Sequence, residues 1–202
     1  MSKDLLRMSK TKFFILMVFL CTCLSTNTTW ATGHKSSSYK KQLKNWTRED
    51  EVYQREDFHA SFKWHATRLS DEFLEAWANE QAKIYDLDDE AKVRFLQNLQ
   101  NEYANQDVFF VSFYSYSFRE SDLSNPKAVW KLSLETADSI LVPVQIQKLP
   151  KPTSYHSRIF KYIDTWSTCY FVTFPKSQNG DQDFHLKING PTGKGQLQWK
   201  AR

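Results

Sequence analysis

Apolar and polar residues alternate with period two in several separate runs of this chain, and each such run predicts a half-buried strand. In the first, Phe58, Ala60, Phe62, Trp64 and Ala66 fall on one face, and His59, Ser61, Lys63, His65 and Thr67 on the other. The first set reads as core and the second as solvent-facing. After Ser70 the period changes. Phe73, Trp77 and Ile84 recur at helical spacing, with Ser70 placed as N-cap and Asp71 and Glu72 in the first turn, where carboxylates suit the helix dipole. A second helix is expected from about Asp88–Glu90 to Tyr103, on the spacing of Ala91, Phe95, Leu99 and Tyr103. Together they predict an αα-hairpin inserted over about 71–104, each helix carrying one apolar stripe. One stripe suffices to dock a helix on a sheet, so the hairpin is expected as cover.

From Asp107 the chain reads as strand after strand. Val108–Phe118 is dense in aromatic residues on both faces, as expected of a central strand. Trp130, Leu132 and Leu134 alternate with polar residues, as do Ile140, Val142, Val144 and Ile146, and Pro143 marks that second run as an edge or a bulge. Lys148–Ser157 reads as a loop. Trp166, Thr168, Tyr170, Val172 and Phe174 share a face. Phe184, Leu186 and Ile188 lead through a Gly190–Gly195 turn to Leu197 and Trp199, a hairpin. The pattern predicts a mainly β fold, α+β by content. Its expected form is a sandwich of about seven strands, immunoglobulin-like or transthyretin-like, with the helical hairpin after the first strand. A closed small barrel is the alternative. Glu49–Asp57 reads as a charged helical turn leading into a single domain over 49–202.

Residues 1–31 read as a secretion signal. Lys3, Arg7, Lys10 and Lys12 form a basic leader, Phe13–Leu24 an apolar run, and Thr29-Trp30-Ala31 a small-residue cleavage site. The run is about 12 residues against the roughly 20 that a membrane-spanning helix needs. Two processing routes are open: cleavage after Ala31, or use of Leu20-Cys21-Thr22-Cys23, which resembles the lipobox of a bacterial lipoprotein with Cys23 as the acylated residue. In that motif Thr22 stands where a smaller residue is usual. The polar stretch 32–48 then reads as a tether, since Ser25–Lys44 shows no apolar pattern.

Composition excludes more than it assigns. The 202 residues carry a net charge of +4, but the leader holds four Lys/Arg and one Asp, so the remainder is nearly neutral and shows no basic stripe for nucleic acid. Of three cysteines, only Cys169 lies outside the leader, which leaves no internal disulfide. Aromatic residues make up 15% of the chain, enough to fill a core without one.

No catalytic motif stands out, and no cofactor or metal is expected. Asp86–Glu90 resembles a calcium loop only in charge: an EF-hand needs Gly at its sixth position and Glu at its twelfth, where this chain has Ala91 and Gln97. A helix-capping turn is the expected reading. Cys169 and His185 would form a thiolate–imidazole pair if their strands were neighbours. The feature above background is the aromatic cluster Tyr114, Tyr116 and Phe118, a candidate binding patch if the hairpin does not cover it. These readings lead us to expect an exported cell-envelope protein, membrane-tethered or periplasmic, with a non-enzymatic role and another envelope protein as partner. Contact with the membrane would come only through an N-terminal lipid. A periplasmic carrier with an aromatic-lined cavity is the alternative, and a hydrolase built from dispersed residues a third.

Overall fold

Phe62, Trp64 and Ala66 are fully buried, and the strand that carries them is flanked on both sides. The structure is a computed structural model that describes residues 38–53, 60–116, 122–177 and 182–201. Within these, the strands are β1 (Thr47–Tyr53), β2 (Ala60–Arg68), β3 (Gln106–Ser115), β4 (Lys131–Glu135), β5 (Ile140–Leu141), β6 (Gln145–Leu149), β7 (Thr168–Pro175), β8 (Phe184–Gly190) and β9 (Gly193–Trp199). The helices are α1 (Tyr39–Trp46), α2 (Asp71–Tyr85), α3 (Asp89–Tyr103) and α4 (Ser154–Ile159). One sheet has the order β1-β2-β3-β7-β6 and the other β5-β4-β8-β9; every pairing is antiparallel. The two pack face to face through rings. Phe62 and Phe113 meet Trp130 at 4.9 and 5.2 Å, and Phe109 meets Trp199 at 5.4 Å. Trp130 comes so close to Gly190 that a Cβ there would lie 2.1 Å from the indole, so only glycine fits.

The mainly β sandwich is therefore as expected, with nine strands among the described residues in place of about seven. The helical hairpin follows the second strand and not the first. The strand that was missed is β1, whose sequence is charged rather than alternating. Its inward side chains Arg48 and Asp50 are satisfied across the sandwich edge by β9. Arg48 Nε donates to the Gln198 carbonyl at 2.8 Å, Asp50 Oδ2 accepts from Gln196 N at 3.3 Å, and the guanidinium lies 5.7 Å from the Trp199 ring centre. A seam of charge does here what apolar side chains do elsewhere. Residues 39–46, within the stretch expected as a polar tether, form α1. Tyr39 and Trp46 are buried and the Tyr39 hydroxyl donates to the Ile159 carbonyl at 2.6 Å.

The hairpin is capped as its sequence implies. Ser70 Oγ accepts from Phe73 N, and Asp86 takes a left-handed φ of 51° that ends α2. Asp88 Oδ1 then accepts from Ala91 N at 2.7 Å to start α3, so the acidic link is two helix caps. Docking is unequal. α2 buries Phe73, Leu74, Ala76, Trp77 and Ala78, whereas α3 buries only Leu99 and packs on α2 as an outer layer, Phe95 against Trp77. No helix among the described residues is long and apolar enough to cross a membrane.

Candidate aromatic binding surface

The outer face of β2 and β3 is covered over part of its length, and the boundary of the cover defines the site. The stretch read as a loop, 148–157, instead contains the end of β6 and the start of α4, whose first turn is closed by a reciprocal Thr153–His156 capping box. The chain then runs between sheet and helices. Phe160 stacks on Phe110 at 3.8 Å between ring centres and touches Phe73 and Trp77 on its other side. Tyr162 stacks on His65 at 4.8 Å and shares a 2.6 Å hydrogen bond with Thr67, which in turn meets Thr47 at 2.7 Å. His65 and Thr67, expected at a solvent face, are thus buried. The cover is this 160–163 segment, with α2 behind it.

At Asp164 the cover stops. Asp164 Oδ1 accepts from both Trp166 N (2.9 Å) and Ser167 N (2.7 Å), a turn in which the carboxylate replaces a backbone acceptor. That turn places Trp166 outside the sheet, 76% exposed. Trp166 was expected to share a strand face with Thr168, Tyr170, Val172 and Phe174; the last three are buried, but Trp166 lies before β7 begins. With Tyr114, Lys63, Glu51 and Asp164 it lines a surface depression of about 390 Å³. Tyr116, just past the end of β3, is 73% exposed. Glu51 also takes a hydrogen bond from the Tyr53 hydroxyl, which raises that phenol's pKa. Of the expected patch, Tyr114 lines the depression and Tyr116 is exposed two residues further along the chain, while Phe118, like Cys23 and Ala31, lies outside the described residues. Sequence reading missed Trp166, although Asp164 two positions ahead of it was the available turn signal.

His65 sits beneath the rim. Its Nε2 lies 2.9 Å from Glu49 Oε2. Burial lowers its pKa from 6.5, against the opposing pull of Glu49 and Asp164 and with the help of Lys63. The unfolded chain therefore holds this proton more tightly than the folded one. The contribution to stability is complete above about pH 6.5 and is lost as pH falls toward the depressed folded value. His156, also lowered by burial, acts with the same sign. Thermal unfolding between pH 7.5 and 5.5 should show Tm falling with pH, and falling less steeply in His65→Gln. Equal slopes in the two proteins would contradict this.

Elsewhere the charged groups answer to the fold. At the other end of β2 a polar cleft of about 630 Å³ contains Arg68 and Asp107. Burial works against ionised Asp107, but Ser177 N and Oγ each donate to Oδ2 at 2.8 Å and Arg68 donates to Oδ1 at 3.0 Å. Together they hold the carboxyl below its usual range. Arg68 itself lies 4.6 Å from the Phe184 ring centre, so this pair is internally satisfied. Cys169 and His185 do not meet: Cys169 lies on the face of β7 away from the other sheet, opposite Ser112 of β3, and His185 belongs to that other sheet. Burial pushes the Cys169 thiol up to about 11, and His185 Nδ1 bonds Gln196 at 2.8 Å. Among the described residues no three His, Cys, Asp or Glu side chains gather as a metal site. Near Pro143, Ile140, Val142 and Val144 stand 69, 69 and 62% exposed where β5 passes to β6, a bare apolar edge.

No protein-family model matches the chain, and no curated protein sequence matches it.

Proposed function

We propose that the chain is an exported cell-envelope protein, held at the membrane as a lipoprotein through Cys23, whose role is to bind another envelope protein through the aromatic depression. The observation that carries the binding role is the exposure of Trp166 and Tyr116. The same domain fully buries Trp64 and Phe110 and leaves Trp130 and Trp199 nearly inaccessible. Large rings left on a surface beside charged rims are how interaction patches are built. Export rests on the basic leader and short apolar run of residues 1–31.

Two packing observations favour a surface binder over a carrier or a hydrolase. Under α2, the layer between sheet and helices, where a carrier would hold its ligand in an aromatic-lined cavity, is filled by Phe73, Trp77, Phe110, Phe160 and Tyr162, and the space of about 360 Å³ between α3 and β6 is lined by polar side chains for the most part. The nucleophile and base that the sequence offered are in different sheets. Two measurements test the reading. Intact mass of the envelope-localised protein should show a start at Cys23 with acyl mass; a start at Thr32 would make it a soluble periplasmic form, and an unprocessed cytoplasmic chain would overturn export. A photocrosslinker at position 166 or 116 should trap one defined partner in cells, while one at Ser133, on the polar outer face of β4, traps none. Equal labelling from all three positions would remove the depression from the reading.

A further inference from the structure

We infer that the depression takes a cationic side chain, foremost an arginine, presented by a basic segment of the partner protein. This rests on the depression being the binding surface and adds the chemistry of its occupant. The wall is made of two rings and two carboxylates: Trp166 and Tyr114, Glu51 from β1 and Asp164 from the turn after the cover. Ring faces carry negative potential, and a guanidinium over Trp or Tyr is attracted by it. Arginine's planar group both stacks on a ring and bonds a carboxylate, which a compact ammonium does less well. The carboxylates come from different sides of the floor: Glu51 is on β1, the register partner of Lys63, which is that of Tyr114, whereas Asp164 is in the turn leading into β7, on the other side of β3. A cation on the rings therefore has an acceptor on either flank.

Among the described residues that line the depression, Glu51 and Asp164 are negative and Lys63 is positive, which leaves this lining acidic by one charge; beside it Glu49 pairs with His65, and Glu51 also accepts from the Tyr53 hydroxyl. Lys63 opposes the occupant and so sets the discriminating test. Removing it strengthens binding of a cation, weakens binding of an anion and leaves a neutral sugar nearly unaffected.

The test uses the domain labelled with ¹⁵N at its indoles, with the Trp166 signal assigned by Trp166→Phe. The probes are the peptide acetyl-Gly-Arg-Gly-Arg-Gly-amide, its Gln and Glu counterparts, and a neutral chito-oligosaccharide. The Arg peptide should shift the Trp166 indole and the others should not. Glu51→Gln and Asp164→Asn should each weaken it about two- to fivefold, the range of one exposed ion pair, and Lys63→Met should strengthen it by a similar factor. Asn at 164 can still accept the turn's two N–H bonds, so Trp166 keeps its place. Raised salt should weaken binding. Preference for the Glu peptide or the sugar, or indifference to all three charge changes with Trp166 still responding, would overturn the cationic occupant while leaving the surface as a binding site. Arg-peptide binding that shifts other indoles but not Trp166, and that survives Trp166→Ala, would remove both.

Discussion

Replacing Trp64 with alanine should cost about 3–5 kcal/mol, the range for truncating a large buried ring, and so consume a large part of a domain stability of roughly 5–15 kcal/mol. The indole is fully buried between the two sheets, on the inward face of β2. It stands opposite Phe113 in the β2–β3 register and opposite Asp50 in the β1–β2 register. Its neighbourhood has little room to collapse: a Cβ on Gly195 would lie 2.9 Å from Trp64 Nε1. Urea unfolding followed by circular dichroism should show the midpoint displaced far below that of the parent, or no folded baseline at all. A loss under about 1 kcal/mol would mean that β2 faces the other way.

Phe160→Ala should cost a similar amount, about 3–5 kcal/mol, but with a different signature. Phe160 is the only ring in contact with both Phe110 of the sheet and Phe73 and Trp77 of α2 among the described residues. Its loss should loosen the helices before the sandwich. In hydrogen exchange, α2 amides should lose protection while those of β3 stay close to the parent. Even loss over both elements, or no change in α2, would show that the helices are held by other contacts.

The parts of this fold that obey a simple period were legible in the sequence. β2, β8 and β9 alternate, β3 is an apolar run covered on both faces, α2 and α3 repeat every three or four residues, and Ser70 announces its helix. What escaped reading did so for three physical reasons. β1 turns charged residues inward because its edge is sealed by Arg48 and Asp50 against β9, so hydropathy cannot find it. α1 is a short helix whose Tyr39, Leu43 and Trp46 lie on one stripe among lysines, too brief for a period to stand out. His65 and Thr67 look like solvent positions because the segment that buries them, around Phe160 and Tyr162, lies about a hundred residues downstream.

The candidate site divides the same way. Tyr114 and Tyr116 were visible as a dense aromatic face, and the question was how far cover extended along it. That answer depends on where the 160–163 segment ends, which is set by the Asp164 turn and not by β3. Trp166 was misplaced because it keeps the alternation of β7 while standing two residues ahead of the strand's start.

The 160–163 segment has a consequence for how this protein can change. One end of it is wedged into the interior and the other carries the turn that holds the Trp166 backbone, so on the proposed reading the backbone beneath the exposed ring is set in advance and less ordering entropy is lost on contact. On the proposed reading, affinity and fold stability share one strut. A substitution that only loosens the packing of Phe160 or Tyr162 should then also weaken partner binding, though it touches no partner. Conversely, if the depression is the binding surface, mutational drift in specificity is cheapest at Trp166, Glu51 and Lys63, which project from the strut or its neighbours without supporting it.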